Sequence, residues 1–416
     1  MNRTLKIFLV FFLCNIFSRY TSAQYTLLKP DRVFDGVSIL EGWSVLIKQD
    51  KIEAIGKTLK IDSVHTVIVD LKGTTLMPGL IEGHSHILLH PYNETVWDDQ
   101  VLIESVAERV IRANNHLRAS LKAGFTTLRD LGTEGSQYAD VGIRQAIEKK
   151  IILAPDLICA GPAIVATGSY GPNKFNFKTP QGADEADANN LIQVVRNQIG
   201  HGVDLIKIYV DFRWGPFGKA MPTFSIEEIK TVVETAKSSG RDVVAHATTR
   251  EGMRRATLGG VSTIEHGDEG DLEIFKLMKE HKVAWCPTLA AEEANLYYRG
   301  WNKKQDPQPE YIKNKKITFK AAQQAGVQII FGGDVGVYTH GDNARELLLM
   351  EEYGMSPLQI LQSATSGNAE VFHLQDRGRI KEGYLADLIA VKGDPIKQLN
   401  HIYQVELVMK RGVKFQ

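Results

Sequence analysis

Six residues of types that bind or bridge metal ions stand at the ends of short apolar runs in this chain. Each run is typical of a buried β-strand, and each is followed by glycine or by a loop-like segment. The six residues are His84, His86, Lys207, His246, His266 and Asp334. They form a ligand set for two divalent metals, and metals held at the carboxyl ends of parallel barrel strands predict hydrolytic chemistry.

His84 and His86 are two residues apart in a predicted strand, so both side chains project from the same face. A single strand end can therefore supply two imidazoles to one metal. A His-x-His pair can also be an ordinary surface feature, but here it follows the apolar run MPGLIEG. This position favours metal binding over the surface alternative.

Lys207 lies in the apolar run DLIKIYV, where a charged side chain is costly unless it is paired or modified. Burial lowers the pKa of a lysine, and the resulting neutral amine can react with carbon dioxide. The product is a carbamate with two oxygens, which can bridge two metals. The alternative is a lysine in a buried salt bridge.

His246 and His266 end two successive predicted strands, and this repetition favours metal binding over separate structural roles. Asp334 ends the run VQIIFGG. Its carboxylate could bind a metal and also hold the proton of an attacking water, while the alternative is a helix N-cap. Glu265 and Asp130 also lie near strand ends, where we expect each of them either to support a metal ligand or to have a structural role.

Strand–helix alternation predicts the elements that position these residues. Strands are expected near 77–86, 125–131, 156–161, 203–211, 242–247, 261–266, 283–287 and 328–334. Helical patterns lie between them, and Ser225 with Glu228 forms a capping box for one helix. Eight strands with helices between them predict an α/β fold of the (β/α)8 TIM barrel type rather than an open sheet. Segments 166–185 and 292–312 are predicted as loops over the barrel mouth.

Both ends of the chain after the leader consist of short alternating strands. We therefore predict that residues 24–76 and 376–416 form one small β-sandwich, with the barrel at 77–375. The alternative is two unrelated flaps.

The N-terminus has the pattern of a secretory signal peptide. Arg3 and Lys6 precede an apolar stretch at 7–17, and small residues lead to a cleavage position after Ala23. We predict that residues 1–23 are removed and that the protein is exported, either periplasmic or secreted. The alternatives are an uncleaved anchor and a lipoprotein that uses Cys14.

Composition excludes several classes of function. The 416 residues carry 49 basic and 49 acidic side chains, and this balance argues against nucleic-acid binding. No mature segment has the roughly 18 apolar residues that a membrane span needs. We expect Cys159 and Cys286 to be buried free thiols, although a disulfide is the alternative after export.

At the level of whole motifs, the chain resembles the amidohydrolase superfamily of metal-dependent hydrolases. The motifs are MPGLIEGHSH, AGFTTLRDLG, DLIKIYVD, VVAHAT, TIEHG, FGGDVGVYTHGDNARELLLM and ATSGNAEVFHLQDRGRIKEGYLADLIAVKGDP. The resemblance is to the branch that includes imidazolonepropionase and the prolidase-like dipeptidases. Lys207 favours the binuclear dipeptidase side, because imidazolonepropionase-type members hold one metal without a carboxylated lysine.

The resemblance implies a role for each ligand. The His-x-His pair and Asp334 would bind one metal, His246 and His266 the second, and a carboxylated Lys207 would bridge them. Imidazole and carboxylate ligands favour zinc first, with manganese, cobalt or iron as alternatives. A hydroxide shared by the metals would attack the scissile carbonyl, which the second metal would polarise. Asp334 would take the proton of the hydroxide and pass it to the leaving amine.

Four residues near the predicted mouth are candidate substrate contacts, with loop or packing roles as the alternative. They are Tyr170, Tyr209, Arg213 and His340. Tyr209 shares a strand face with Lys207, and Arg213 could pair with a substrate carboxylate. Relatives often carry a histidine near Tyr170, so the resemblance alone does not predict the specificity of this chain.

These observations predict an exported binuclear hydrolase that cleaves an amide bond in a small substrate, with an Xaa-Pro dipeptide as the first candidate. The same metal pair could serve cyclic amides, lactones or phosphoesters. A non-catalytic binding protein on the same barrel would be expected to lack one or more ligands, and all six are present. The sequence leaves open whether the chain forms a homo-oligomer.

Overall fold

Residues 25–174 and 178–415 are described by the computed structural model. The predicted signal peptide at 1–23 lies outside the described residues. The described part forms a barrel of parallel strands with surrounding helices, and a mixed sheet that is built from both ends of the chain. The predicted fold class is therefore confirmed.

Seven barrel strands are regular, and each pairs in parallel with its neighbours in the barrel. From first to seventh, they are Leu80–Ser85, Phe125–Asp130, Asp156–Cys159 with its continuation Ala163–Val165, Ile206–Tyr209, Val243–Ala247, Thr263–His266 and Ala284–Cys286. The third strand is split, because its first part pairs with the second strand and its continuation with the fourth. A short strand, Ala183–Glu185, pairs with that continuation.

The eighth barrel segment differs from its prediction, because residues 328–334 do not form a regular strand. Ile329 makes a single parallel bridge to the seventh strand, and Val335 makes one to the first strand. The extended conformation is interrupted at Asp334, whose backbone is left-handed at φ 62°. The segment thus links the seventh strand to the first through isolated bridges.

Helices lie between the strands and pack around them. The longer helices are Val106–Lys122, Ala139–Glu148, Leu191–Gly200, Ile226–Lys237, Arg250–Gly259, Leu272–Glu280, Leu289–Tyr298, Glu310–Ala325 and Arg345–Glu352. Shorter helical segments are Trp97–Leu102, Pro216–Gly218, Pro357–Gln362, Ser363–Gly367, Asn368–Val371 and Leu399–Tyr403. The predicted capping box is present, because Ser225 and Glu228 each bond to the other's backbone.

The loop predicted at 292–312 is partly wrong, because most of its first part belongs to the helix Leu289–Tyr298. The buried side chains of this helix are mostly alanine, so its sequence lacks the contrast between apolar and polar faces that marks a helix. The loop predicted at 166–185 is irregular in its described part, apart from the short strand Ala183–Glu185 at its end.

Strands from both chain ends form one eight-stranded sheet. The N-terminal strands are Tyr25–Phe34, Ile39–Glu41, Ser44–Lys48, Lys51–Gly56 and Thr66–Pro78, and the C-terminal strands are Leu388–Lys392, Val405–Lys410 and Val413–Lys414. The two sets join where Leu388–Lys392 runs antiparallel to the end of Thr66–Pro78. Lys410 links this sheet to the barrel, since its Nζ donates to Asp387 at 2.6 Å and to Asp156 at 2.9 Å.

Two further predictions concern the cysteines and the membrane. Cys159 and Cys286 are both buried and unpaired, as expected. Among residues 25–174 and 178–415, no helix combines the length and the apolar character that crossing a bilayer requires.

Candidate metal centre and active site

Three of the predicted ligands meet where the first strand and the eighth segment end. His84 Nε2 lies 3.5 Å from Asp334 Oδ1, and His86 Nε2 lies 3.3 Å from the same oxygen. The two imidazole centroids are 5.4 Å apart. The three groups predicted to share one metal therefore face a common point.

His246 and His266 extend this cluster along the fifth and sixth strands. Their ring centroids are 4.6 Å apart, and the ring of His266 is 5.2 Å from that of His84. Ligand atoms of His84, His266 and Asp334 lie within 4.8 Å of one another, a spacing that allows them to share a metal. The two predicted ligand groups are thus parts of one continuous site.

Lys207 enters the site from the fourth strand and is only 1% exposed. Within the described part of the chain, its Nζ has no hydrogen-bond partner. Burial lowers its pKa to about 8, although the nearby Glu265 and Asp334 carboxylates favour the charged form. The buried salt bridge considered as an alternative is therefore not formed by the residues described.

Three of the imidazoles are oriented by a polar partner on one ring nitrogen. The partners are Glu265 Oε2 for His84 Nδ1 at 3.0 Å, Gly132 O for His86 Nδ1 at 2.9 Å, and Thr288 Oγ1 for His266 Nδ1 at 2.8 Å. The Nε2 of each ring remains available as a ligand. Histidines that bind metals are held in this way, so the residues present fit a metal centre.

Glu265 is the carboxylate that supports His84, which is one of the two roles that the sequence left open for it. It also accepts hydrogen bonds from Arg129 at 2.9 Å and from Thr263 at 2.5 Å. Burial raises the pKa of Glu265, but Arg129 and His84 outweigh burial and hold it well below its usual range. An ionised Glu265 keeps the proton on His84 Nδ1 and leaves Nε2 with its lone pair.

Asp334 has two features that are common at functional sites. Its left-handed backbone is strained for a residue with a side chain, and its amide donates to His84 O at 2.9 Å. Among the described residues, its buried Oδ1 makes no well-aligned hydrogen bond. Burial raises its pKa, but His84 and His86 hold it well below the usual range, so the carboxylate is ionised.

His266 is also left-handed, at φ 70°, and two donors hold its carbonyl oxygen. Trp285 Nε1 donates to this oxygen at 2.9 Å, and Lys315 Nζ donates at 2.5 Å. Lys315 comes from the helix Glu310–Ala325, outside the barrel, and sequence analysis did not predict its role. These two residues stabilise the backbone conformation that aims His266 at the site.

A cavity of about 470 Å³ opens beside the cluster. It is lined on the metal side by His246, His266 and Asp334, and elsewhere by Phe212, Arg213, Thr248, Asp268, Glu269, Ala291, Glu292, Asn295 and Lys315, among others. Of the four predicted substrate contacts, Arg213 lines this cavity. A second cavity, of about 830 Å³, lies against the terminal sheet, and none of the six predicted ligands lines it.

The rings of Tyr209 and Tyr170 form a row that starts at the predicted ligand His246. Tyr209 stacks on His246, with ring centroids 4.5 Å apart and an interplanar angle of 11°. Tyr170 contacts Tyr209 at 4.8 Å, and its hydroxyl donates to Glu134 Oε2 at 2.6 Å. Glu134 was not singled out from the sequence.

His340 is not among the residues that line this cavity, and its contact with a substrate stays a prediction. Its ring stacks on His116 with centroids 4.2 Å apart, and its Nε2 lies 3.1 Å from Leu89 O. His116 Nδ1 lies 2.9 Å from Ile87 O. The histidine pair thus supports the backbone that follows the His-x-His motif.

Comparisons with known proteins agree with this geometry. Residues 75–414 match the Amidohydrolase family. Ochratoxinase of Aspergillus niger is 28% identical over 358 residues, which cover 78% of this chain and 71% of that protein. Imidazolonepropionase of Pyrobaculum arsenaticum is 22% identical over 391 residues, which cover 86% of this chain and 88% of that protein.

Among solved structures, a Xaa-Pro dipeptidase with methionine bound in its active site is 32% identical, with a TM-score of 0.82. The match covers 94% of this chain and 100% of that chain. These findings confirm the predicted resemblance and the prediction of a hydrolase that acts on carbon–nitrogen bonds. This chain belongs to the amidohydrolase family.

Proposed function

We propose that this protein is a binuclear metallohydrolase that cleaves the amide bond of a small substrate, with an Xaa-Pro dipeptide as the first candidate. One observation carries the proposal above all. Four imidazoles converge with the Asp334 carboxylate and the unpartnered amine of Lys207 at the carboxyl ends of the barrel strands.

The donor set divides into two groups that each suit a divalent ion. His84, His86 and Asp334 would hold one ion, and His246 with His266 would hold the other. Zinc fits imidazole and carboxylate ligands best. When bound, the ions would lower the pKa of a water molecule and polarise the carbonyl of the scissile bond.

Lys207 would join the two groups as a carbamate. Its lowered pKa makes the neutral amine accessible near pH 8, and this amine adds to carbon dioxide with release of one proton. The buried positive charge is thereby replaced by a carbamate anion, whose charge the metal ions would balance. The absence of any partner for Nζ among the described residues supports this assignment.

Asp334 would move the proton. Its carboxylate is ionised, and its Oδ1 is free to accept the proton of an attacking water. It would then donate that proton to the nitrogen of the leaving amine, so that the amide bond breaks without forming an unprotonated amine anion.

Arg213 is placed to bind the carboxylate at the far end of a substrate. It lines the cavity that contains the metal residues, and it is exposed, so a ligand can reach it. A dipeptide carries a carboxylate on the leaving amino acid. The similarity to a Xaa-Pro dipeptidase makes such substrates the first to test.

We further propose that the protein acts after export, because the leader at residues 1–23 has the pattern of a cleaved signal. N-terminal sequencing of protein recovered outside the cytoplasm should begin at Gln24. An intact N-terminus would contradict this proposal without affecting the proposed chemistry.

Release of free amino acids from a dipeptide library, by zinc-loaded protein of residues 24–416, tests the activity. Metal analysis should find about two ions per chain in the wild type, and hydrolysis should be strongest for C-terminal proline. With the ions confirmed, silence across the library would overturn the dipeptidase assignment in favour of cyclic amides or lactones. A protein that retained few or no ions would contradict the metallohydrolase itself.

A further inference from the structure

A buried carboxylate, Glu134, lies near the metal residues but is not one of the ligands. It is in the loop after the second barrel strand, it is only 2% exposed, and its backbone is left-handed at φ 47°. Its Oε2 accepts hydrogen bonds from Tyr170 Oη at 2.6 Å and from Trp97 Nε1 at 3.0 Å. No donor from the described residues bonds its Oε1, so one oxygen is held and the other is available.

The negative charge of Glu134 has no ion pair among the residues described. A buried cation in this region is Arg109, and its guanidinium donates to the main-chain carbonyls of Leu88, Thr133 and Glu134 at 2.8–3.1 Å. Arg109 therefore fixes the loop and does not form a salt bridge to the carboxylate. A buried carboxylate without an ion pair is costly, so a cation bound beside it would be strongly favoured.

Aromatic rings connect Glu134 to the metal residues. From His246 the row continues through Tyr209, Tyr170 and Trp97, with centroids 4.5, 4.8 and 5.2 Å apart in turn. The last two rings are the ones whose polar hydrogens hold Glu134. Aromatic faces attract cations, so a carboxylate at the end of an aromatic row is suited to an ammonium group.

Gly132 keeps the space between Glu134 and the first metal group open. A Cβ at this position would lie 3.1 Å from Glu134 Oε1 and 3.4 Å from His86 Cε1. The available oxygen of Glu134 and a metal ligand therefore border the same small space. A group bound at Glu134 would be close to the scissile bond of a substrate whose carbonyl lies at the metals.

We propose that Glu134, with the aromatic row, binds a cationic amino group of the substrate close to the scissile amide. This inference rests on the proposed function and narrows it to amides that carry a positively charged nitrogen, such as dipeptides with a free N-terminus. Glu134 is then a specificity-determining residue, and Arg213 binds the opposite end of the substrate.

Two substrates that differ at the N-terminal nitrogen test the proposal, namely methionyl-proline, whose amine is charged, and N-acetylmethionyl-proline, whose amide is neutral. The wild type should prefer the free amine. Glu134→Gln should lower kcat/KM for the free amine by roughly 10–100-fold, the value of a charge-assisted hydrogen bond, and should leave the acetylated substrate nearly unchanged. An equal loss on both substrates would overturn the proposal, because it would show a merely structural role.

Glu292→Gln is the matched control, because Glu292 is an acid that lines the cavity but does not contact the aromatic row. It should not change the preference between the two substrates. A selective loss in Glu292→Gln and none in Glu134→Gln would assign the ammonium site to Glu292 and overturn the proposal.

A binding measurement separates this proposal from the proposed function. Methioninamide and N-acetylmethioninamide are titrated calorimetrically into metal-loaded protein, which requires no turnover. The wild type should bind the cationic amide more tightly, and Glu134→Gln should remove the difference. The wild-type comparison alone suffices if the variant fails to fold, since no preference for the cation would overturn the proposal. Preference for the cation without hydrolysis of either substrate would contradict only the proposed function.

Discussion

The metal side and the substrate side of this site are held in different ways. On the metal side, the ligands end barrel strands, and partners such as Glu265 and Thr288 fix three of the rings. On the substrate side, Arg213 belongs to a short hairpin at 211–222, where Trp214 is half-exposed and Phe217 fully exposed. One side is built on the barrel strands, and the other is a projecting loop.

Because of this difference, the groups that would carry out the reaction and the groups that would select the substrate lie on different elements of the fold. Barrel strands position reacting groups closely, while loops can change without disturbing them. Substitutions on the metal side should therefore change metal content and kcat, and those on the substrate side should change mainly KM. The similar proteins include an ochratoxinase, an imidazolonepropionase and a Xaa-Pro dipeptidase, whose names refer to different substrates.

The largest effect is expected for Asp334→Asn. The amide cannot accept the proton of the attacking water, so kcat should fall by about 10²–10⁴-fold, the usual contribution of a general base. Circular dichroism should show an unchanged fold, and metal analysis should show most of the metal retained. Asp342→Asn, in the loop that follows the eighth segment and bonded to Tyr403, is the control and should remain close to wild type. Near-normal turnover of Asp334→Asn would remove its role in proton transfer.

Lys207→Ala should lower activity nearly as much, because it removes a metal ligand rather than a group that transfers a proton. Without the bridging group, at least one of the two ions should be lost, which metal analysis would detect. Acetate or propionate should restore part of the activity, because a short carboxylate can occupy the place of the carbamate. Full metal retention would contradict the bridging role of Lys207. Rescue of Asp334→Asn by the same acids would also count against it, because the acids would then not act specifically at the place of the carbamate.

The metal side could be predicted from the sequence because its signals are local. Each ligand follows its own apolar run, and the spacing of His84 and His86 alone places two imidazoles on one face. The barrel followed from the alternation of these runs with helical patterns. The eighth strand was predicted wrongly, since no local sequence pattern predicts the left-handed backbone of Asp334.

The residues that sequence analysis missed act over long distances in the chain. Glu134 meets Tyr170 and Trp97 only because two loops pack against the start of the helix Trp97–Leu102. Lys315 left a weak signal, because it lies on the buried face of its helix together with Ile312 and Phe319. A lysine on such a face indicates a buried partner, but the sequence does not show which carbonyl or carboxylate provides it.

Lys315→Met sharpens the comparison, because it removes support from the metal side without replacing a predicted ligand. His266 O and Asp268 each lose a buried donor, which should lower the free energy of unfolding by about 1–3 kcal/mol. Metal affinity should fall by roughly 10-fold or more, as for other groups that orient ligands. Chemical denaturation and competition with a chelator would measure both.

Lys316→Met is the matched control for that experiment. Lys316 is the next residue along the helix, but it pairs with Glu352 at the surface. Its loss should change stability by less than about 0.5 kcal/mol and leave metal affinity unchanged. Equal effects of the two substitutions would show that the hydrogen bond to His266 does not stabilise the metal side.

The smallest effect is expected on the substrate side, for Arg213→Ala. Because Arg213 is exposed, solvent weakens its pairing with a carboxylate, and KM should rise only about threefold to tenfold. The value of kcat and the metal content should stay unchanged, and an amidated substrate without the carboxylate should show no difference. Lys219→Ala, on the same hairpin but not lining the cavity, should have no effect on KM. A fall in kcat or in metal content for Arg213→Ala would show that the hairpin also supports the metal side, and the separation between chemistry and specificity would then fail.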